Sequence, residues 1–280
     1  MNILCIRRAH QFSPSSVERD EQIMQSVATL LQKAKHHVVT CVEEDVPKFI
    51  NQCSWHCIVS MARSEAALTL LAQAEQCGMR ILNSPTALLK ADRATLAKRF
   101  MEQSIPIPAT TFVRHPDTAQ IPFPYWAKRG GAGAETKSDV VFINSAEQLH
   151  SLPYANEEYI AVAHTEGDLI KFYGVAGTAF FHYYYPTAAT DGFSKFGLER
   201  INGRPAYHSF DETTLKSIAA HAAKAAGFDI YGGDAIITKD NKILLIDFND
   251  FPSFANCRSA AAEAIFQRIN NHDERTEVHL

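Results

Sequence analysis

Hydrophobic and polar positions follow two different periods in the first third of the chain. Short apolar runs predict four strands, at residues 2–6, 36–43, 57–62 and 79–83. Between them, VERDEQIMQSVATLLQKA and EAALTLLAQAEQCG carry apolar residues at helical spacing, and Gly78 is a natural end for the second helix. Because strands alternating with helices indicate a parallel sheet, residues 1–85 are predicted to form a small open α/β domain.

The pattern changes after Pro85. The stretch TALLKADRATLAKRFMEQS predicts one helix, and the prolines of the following IPIPATTFV favour an extended linker or an edge strand. Further strands are predicted at YWAK, VVFI and EEYIAVAH, and the aromatic, β-branched segment 168–186 predicts a hairpin. The fold class predicted for the chain is therefore α/β followed by α+β.

The last part of the chain predicts a helix, a hairpin and a second helix. DETTLKSIAAHAAKAAG is helical and ends at Gly227, and the strands DIYGGDAIIT and KILLIDFN are joined by the turn KDN. SAAAEAIFQRI predicts a terminal helix, and residues 271–280 form a polar tail.

Composition is that of a globular enzyme. The 280 residues are 46% hydrophobic and 21% charged, and the formal charge of -4 argues against a general nucleic-acid binder, although a local basic cleft stays open. No apolar stretch approaches the roughly 20 residues that span a bilayer. The six cysteines lack zinc-site spacing, and the N-terminus lacks a signal-peptide core, so we expect a cytoplasmic protein without a membrane partner. The oligomeric state is left open, a homodimer included.

Two acids and an amide come together in the predicted hairpin YGGDAIITKDNKILLIDFND. Residues two apart in a strand share a face, so Asp247 and Asn249 project together while Phe248 and Asp250 point the other way. The short turn brings Asp234 towards them. Such oxygen ligands suit Mg²⁺, and a carboxylate that follows KILLI needs a partner or a metal. The alternative is that Asp and Asn merely end the strand and start a turn.

Lys128 ends a predicted strand immediately before RGGAGAETKSD. Since Gly130, Gly131 and Gly133 lack side chains, backbone N–H groups there could approach phosphate oxygens, and Lys128 would add a point charge. The spacing matches neither a Walker A motif nor the Rossmann fingerprint. A surface hairpin loop is the alternative interpretation.

Several further cations are candidates for contact with an anionic substrate. Lys171 lies on the strand DLIKFYGV, Lys195 lies in the polar loop GFSKFG, and Arg258 follows the segment that contains Asp247. Others lie at predicted strand ends, where open α/β sheets bind ligands, namely Arg7, Arg8, His10 and Arg63. Each alone is more often a surface charge, but their common position predicts an anion-binding cleft.

The order of these segments resembles that of ATP-grasp enzymes, especially RimK-type glutamate ligases and inositol trisphosphate kinases. The resemblance covers about residues 80–270 and rests on order and spacing, because each motif alone is loose. ILNSP with ADRATLAKRFMEQSIPIPATTFV is similar to the family's leading helix and linker, and YWAKRGGAGAETKSDVVFI resembles its phosphate-binding strand and glycine-rich lid. EEYIAVAH resembles the hinge that contacts adenine, DLIKFYGV resembles the strand with ribose and substrate contacts, and GGDAII with LLIDFNDFPSF resembles the metal-binding pair.

The resemblance implies an ATP-grasp fold for residues 86–270, with a lid at about 108–160 and two α+β subdomains that clamp ATP behind an N-terminal α/β domain. It implies ATP and Mg²⁺ as cofactors, with metal ligands at Asp234, Asp247 and Asn249. It also implies nucleotide contacts, here in chain order: Arg93, Lys128, the glycine-rich loop, Glu157, Glu158, Tyr159, Ile160, and Glu166 or Asp168 for the ribose.

Two positions depart from the family pattern. The family usually has Glu in place of Asp247, although Asp also occurs in the inositol kinases. It commonly has Asp-Lys where this chain has Asp92-Arg93, and a forked guanidinium does not replace an ammonium one for one.

The function expected from this resemblance is that of an ATP-dependent ligase. It would activate a small, anionic carboxylate substrate through an acyl phosphate for capture by an amine. The alternatives are a kinase that phosphorylates a hydroxyl and a non-catalytic nucleotide-binding module.

Overall fold

The computed structural model describes residues 1–12, 16–113, 120–131, 139–149, 152, 158–186 and 201–271. The strands in these ranges are β1 Asn2–Arg7, β2 His37–Val42, β3 Cys57–Ser60, β4 Ile81–Leu82, β5 Thr110–Val113, β6 Tyr125–Arg129, β7 Val140–Ile143, β8 Tyr159–Ala163, β9 Asp168–Val175, β10 Phe181–Tyr184, β11 Ile230–Ile237 and β12 Ile243–Asp250. The helices are α1 Val17–Lys33, α2 Val46–Phe49, α3 Glu65–Gln76, α4 Pro85–Leu88, α5 Arg93–Glu102, α6 Ala146–Leu149, α7 Glu212–Ala226 and α8 Arg258–Asn270. In this described part, no helix has the length and apolar character that a membrane span requires.

The N-terminal strands form the predicted open parallel sheet, in the order β2-β1-β3-β4. Its central strand β1 is buried on both faces, as parallel strands usually are. Ile3 and Cys5 face α1 and α8, whereas Leu4 and Ile6 face α3. The carboxyl ends of β1 and β3 therefore lie together at one edge of this sheet.

The terminal helix α8 packs against α1, so the last described residues complete the core of the first sheet. The same apolar cluster includes Val175 of β9 and Ile230 of β11. Arg80 donates to the carbonyl of Ile269 at 2.7 Å, which satisfies a free acceptor at the end of α8. One continuous core thus crosses the domain boundary predicted near residue 85, and that boundary stays a prediction.

The single helix predicted for residues 86–104 is wrong, because this stretch forms two helices. α4 ends at Leu88, and α5 begins at Arg93. Asp92 is the N-cap of α5, and its carboxylate accepts from the Thr95 N–H at 2.8 Å and the Thr95 hydroxyl at 2.6 Å. A capping side chain starts a new helix here, and it sets Arg93 in the first turn.

Two antiparallel sheets follow, with the strand orders β10-β9-β11-β12 and β5-β8-β6-β7. We call them the β12 sheet and the β6 sheet. Both predicted hairpins, β9–β10 and β11–β12, are confirmed. Helix α7 covers one face of the β12 sheet and ends at Gly227, whose φ of 77° is left-handed. The other face of the β12 sheet borders a cleft, and the β6 sheet lies on the opposite side of that cleft. Helix α5 packs against the β6 sheet.

Candidate functional site

An irregularity in β12 decides where its polar residues lie. Asp247 pairs with Asp234 of β11, whereas Leu245 pairs with the adjacent Ala235, so Ile246 is an extra residue in the ladder. A bulge of this kind shifts the alternation of side chains along the strand. Asp247 therefore leaves the face that carries Leu245 and joins Ile246 on the face that borders the cleft.

Asp247 and Asn249 share the cleft face, as predicted. The side-chain N–H of Asn249 donates to a carboxylate oxygen of Asp247 at 2.9 Å. Phe248 points into the core, and both Phe248 and Asp250 are buried, with exposed fractions of 7% and 6%, although Asp250 also borders both cavities. The bulge and the strand alternation after it thus place one acid and one amide side by side on the wall of the cleft.

A row of charged side chains crosses the β12 sheet. Asp234 lies opposite Asp247 on one side and opposite Lys171 of β9 on the other, so the three side chains share one face. The ammonium of Lys171 lies 3.2 and 3.3 Å from the two carboxylate oxygens of Asp234. Asp234 is therefore beside Asp247, as predicted, and is held by an ion pair.

Two cations approach this row from the opposite wall. Lys128 of β6 is buried, and its ammonium donates to the carbonyl of the bulge residue Ile246 at 2.6 Å. Arg93 projects from the first turn of α5 and donates to the carbonyl of Arg129 at 2.9 Å. Lys128, Arg93 and Asp247 all line the same cavity, so two cations and an acid meet where the two sheets come together.

The charges in this cluster shift one another's proton affinity. Burial lowers the pKa of Lys128 to about 8, and nearby Arg93 adds to the effect while Asp247 opposes it. Burial alone would raise the pKa of Asp247, but Lys128 and Arg93 outweigh it, so the pKa of this carboxyl lies below its ordinary value. The carboxylate is thus charged at neutral pH.

Two cavities meet at this cluster. The sheet cavity, of about 370 Å³, lies between the two antiparallel sheets. Its apolar walls come from both sheets, namely Trp126, Val140 and Val162 on one side and Leu169, Ile236 and Ile246 on the other. The edge cavity, of about 450 Å³, lies beside the outer edge of β12 and borders α5. Because Lys128, Arg93 and Asp247 line both, the cluster forms a common wall.

This architecture is similar to that of several known protein structures. No protein-family model matches the chain, and no curated protein sequence matches it significantly. A RimK-domain ATP-grasp protein from Sphaerobacter thermophilus has a similar structure, with a TM-score of 0.67 and 14% identity over 97% of this chain and 100% of that one. A D-alanine–D-alanine ligase from Bacillus anthracis complexed with ATP gives a TM-score of 0.59 and 14% identity over 96% and 94%. The N5-carboxyaminoimidazole ribonucleotide synthetase of Thermotoga maritima gives 0.63 and 15% over 94% and 75%.

The chain has an ATP-grasp fold. The expectation drawn from the order of the motifs is confirmed at this level, and the cleft between the β6 and β12 sheets is its central feature. The roles of individual residues stay predictions, and the structure changes several of them.

Gly130 packs closely against Glu158, the residue that precedes β8. Its N–H donates to the carbonyl of Glu158 at 2.8 Å, and a Cβ atom added to Gly130 would lie 2.9 Å from that same oxygen. This N–H is therefore already bonded within the protein, and the predicted contact of Gly130 with phosphate stays a prediction. Gly131 borders the edge cavity and has open space around it, whereas Gly133 lies outside the described residues.

The segment predicted to contact adenine through its backbone is a central strand. β8 is hydrogen-bonded to β5 on one side and to β6 on the other, so the backbone of Tyr159 and Ile160 is already paired. Tyr159 packs into the core behind the β6 sheet, Ile160 borders the edge cavity, and exposed Glu158 lies 3.8 Å from Lys98. The strand pairing of Tyr159 and Ile160 gives no support to the predicted backbone contact, which stays a prediction, and Glu157 lies outside the described residues.

The connection between the two sheets is the segment 164–167. His164 and Thr165 line the sheet cavity there. They were not predicted, because the apolar run of β8 does not show where the strand ends and the connection begins. Trp126 was missed as well. It lies two residues before Lys128 on β6, so the spacing alone could have placed both side chains on the cleft face.

The two carboxylates proposed for the ribose lie outside the lining of both cavities. Asp168 is buried and accepts from the N–H groups of Ala206 and His208 at 2.6 and 2.5 Å, so it anchors that segment. Glu166 is exposed to solvent. Neither position supports the predicted ribose contact.

The arginines at the carboxyl edge of the parallel sheet are paired with acids. The Arg8 side chain is 8% exposed, and it donates to Asp20 and to the carbonyl of Phe251, both at 3.0 Å. Arg63 pairs with Asp250, and Arg7 pairs with Glu21. Arg8 and Arg63 nevertheless line the sheet cavity, so the predicted anion-binding cleft stays a prediction.

The three predicted catalytic cations have different positions. Lys171 lines the sheet cavity beside Asp234. Arg258 is the first residue of α8 and borders neither cavity, so it is separated from the acids that it was predicted to assist. Lys195 lies outside the described residues.

Proposed function

We propose that the protein is an ATP-dependent ligase that activates a small carboxylate substrate and passes its acyl group to an amine. One observation carries the proposal: buried Lys128 and half-buried Arg93 line the same cavity as the acid Asp247 and its neighbour Asn249. Burying such charges is costly, and clusters of this kind are typical of sites where a ligand uses them. A nucleotide triphosphate with its metal has the matching charges.

The sheet cavity is proposed to hold ATP. Its volume of about 370 Å³ lies within the usual range for small-ligand pockets, and its opposed apolar walls suit a planar base. The triphosphate would then run towards Lys128, Arg93 and Lys171. The structural similarity to an ATP-bound D-alanine–D-alanine ligase supports the choice of nucleotide.

The oxygen donors on the β12 sheet fit Mg²⁺. Asp234, Asp247 and Asn249 offer two carboxylates and an amide oxygen from adjacent positions on one face. Across the described ranges, no group of three or more His, Cys, Asp or Glu side chains could hold a metal by itself. In a magnesium site built on these three donors, phosphate oxygens and water would complete the coordination. When bound, the ion would supply charge neutralisation at the phosphates.

The proposed reaction consists of two displacements. A substrate carboxylate oxygen attacks the γ-phosphorus, the bond to the bridging oxygen breaks, and ADP leaves. A neutral amine then attacks the carbonyl carbon of the acyl phosphate, inorganic phosphate leaves, and the amine loses one proton to solvent. Lys128, Arg93 and Lys171 would hold the phosphoryl oxygens in line and stabilise their negative charge, which is the main catalytic contribution in phosphoryl transfer.

Hydroxylamine trapping tests this proposal. With Mg-ATP, a panel of small carboxylates and hydroxylamine as the amine, we expect ADP release together with a hydroxamate product. Lys128→Met should lower both signals about 10²- to 10³-fold. A stable phosphorylated alcohol without hydroxamate would indicate a kinase instead. Absence of nucleotide binding at millimolar Mg-ATP would contradict the site itself.

A further inference from the structure

The edge cavity has no role in the proposed binding of ATP. It measures about 450 Å³, within the range of small-molecule pockets. Its walls come from several segments that are far apart in sequence, and one part of them is apolar: Leu68, Leu88, Leu96, Phe100 and Ile107. Leu68, Leu96 and Phe100 belong to packed core clusters, so this wall is rigid.

The edge cavity meets the sheet cavity at the proposed reacting centre. Lys128, Arg93, Asp247 and Asn249 line both cavities. A molecule that lay in the edge cavity would therefore place one end against the cations that would hold the phosphates. The rest of that molecule would lie beside the outer edge of β12.

Two polar side chains elsewhere in the edge cavity already have partners. The Asp92 carboxylate accepts from the Thr95 N–H and hydroxyl, and Arg63 is paired with Asp250. A ligand body would gain little from hydrogen bonds to these two, and exposed Glu65 is a third polar residue of the wall. It would gain from the burial of apolar surface, at about 25 cal/mol per Å².

We propose that the edge cavity binds the apolar body of the carboxylate substrate, with its carboxylate at the common wall. This inference rests on the proposed ligase function and narrows its substrate to a monocarboxylate with an aliphatic chain or a phenyl ring. The reaction keeps the balance given above: the carboxylate oxygen gains the phosphoryl group, and ADP leaves.

The rim of the edge cavity supplies positions for a test. Leu89 is 42% exposed and borders the edge cavity, whereas Met101 is 47% exposed and borders neither cavity. Ala91 also borders the edge cavity, and Ala220 is exposed on α7 outside it. These are two matched pairs, each with one residue at the cavity and one control.

The first experiment measures ADP and hydroxamate formation with acetate, hexanoate and 3-phenylpropanoate. We expect kcat/KM for hexanoate and 3-phenylpropanoate to exceed that for acetate at least about tenfold, because each buried methylene contributes up to about fourfold. Equal or higher kcat/KM with acetate would overturn the inference.

The second experiment fills or charges the cavity. Ala91→Trp should lower kcat/KM for hexanoate about tenfold or more and leave ATP affinity unchanged, whereas Ala220→Trp should change neither. Leu89→Glu should have a similar effect on hexanoate, with Met101→Glu as its control. If the cavity variants behave like their controls, the inference fails.

Calorimetric titration of hexanoate without nucleotide separates this inference from the proposed function. Hexanoate binding that Ala91→Trp weakens, without any ADP release, would reject the ligase proposal and keep the apolar site. Turnover of acetate and hexanoate at equal rates would keep the ligase proposal and reject the apolar site.

Discussion

Two clusters of charged residues lie near each other and have opposite characters. In the first, the cleft cluster of Lys128, Arg93, Lys171, Asp234 and Asp247, side chains line cavities, and the Lys171–Asp234 pair is 17% and 24% exposed. In the second, the buried cluster of Arg8, Asp20, Arg63 and Asp250, side chains also border the sheet cavity, but the Arg8–Asp20 pair is only 8% and 7% exposed. Both clusters combine acids with basic residues, so the difference lies in how strongly each charge is bonded within the protein.

The buried cluster joins three parts of the chain. Arg8, after β1, donates to the carbonyl of Met61 at 3.3 Å and to that of Phe251 at 3.0 Å. Nearby Glu43 accepts from the N–H groups of Arg63 and Ser64 at 2.9 and 2.7 Å. These groups hold the edge of the parallel sheet against the end of β12. Arg8 is bonded to an acid and to two backbone carbonyls, so we expect it to contribute mainly to stability.

The largest effect is expected for Arg8→Met. Its loss removes the buried partner of Asp20 and one of the two cations beside Asp250, so the free energy of unfolding should fall by about 3–5 kcal/mol in urea denaturation. Arg7→Met is the matched control. Arg7 pairs with half-exposed Glu21, so its loss should cost less than about 1 kcal/mol. Equal unfolding midpoints for the two variants would remove the distinction between the clusters.

Lys128→Met should affect ligand binding and not stability. We expect ATP turnover to fall about 10²- to 10³-fold, with the free energy of unfolding unchanged or higher because a buried cation is removed. Lys98→Met is the control, since Lys98 lies 4.8 Å from the Phe112 ring centroid and borders neither cavity. A loss of stability as large as that of Arg8→Met would make Lys128 a structural residue.

Substitutions at Gly130 and Gly131 should have smaller effects. They distinguish a glycine that is needed for packing from one that borders a cavity. Gly130→Ala forces a Cβ against the Glu158 carbonyl, so thermal or urea unfolding should show a loss of about 1–3 kcal/mol. Gly131→Ala meets open space and should be close to neutral in stability. The reverse order of the two stabilities would contradict the assignment of Gly130 to the sheet.

The pH dependence gives the smallest effect. Because the pKa of Lys128 is about 8, ATP affinity should be level below that pH and fall up to about tenfold per pH unit above it. The free energy of unfolding should instead rise as the pH rises above about 8. Between about pH 8 and 10.4 the unfolded lysine binds a proton that the folded one has released, so this group favours folding more as pH rises.

Lys128→Met provides the reference for both pH trends. Titrations and unfolding curves of this variant should lack the two contributions, so the difference between wild type and variant isolates Lys128. An identical pH dependence of ATP affinity in both proteins would contradict the lowered pKa.

Much of the fold could be predicted from the sequence, since it depends on local periodicity. The parallel sheet, both hairpins and the common face of Asp247 and Asn249 follow from spacing and turn residues. The two short helices α4 and α5 were predicted as one because apolar spacing continues through Asp92, whose capping bond to Thr95 ends that continuity. The capping residue Asp92 was visible in the sequence, but the continuous apolar spacing was given more weight.

The rest depended on pairing between distant residues. The run ILLI does not alternate, so it gives no sign that Ile246 is a bulge or that its carbonyl accepts from Lys128. Nothing near Arg8 in sequence indicates that Phe251 will accept from it, and hence a buried arginine resembled a ligand-binding one. Tyr159 was taken for part of a hinge because flanking strands, 46 and 30 residues away at Val113 and Arg129, decide that β8 is central.

The central claim is that the bulged strand β12 presents Asp247 to a magnesium ion that is bound with ATP beside Lys128. The most direct measurement is a calorimetric titration of ATP, with and without Mg²⁺, into wild type and Asp247→Asn. In the wild type, Mg²⁺ should tighten ATP binding about 10- to 100-fold, and the variant should lose that gain. Without Mg²⁺, the variant should bind ATP at least as well as the wild type, because one negative charge near the phosphates is gone. The same gain from Mg²⁺ in both proteins would contradict the account.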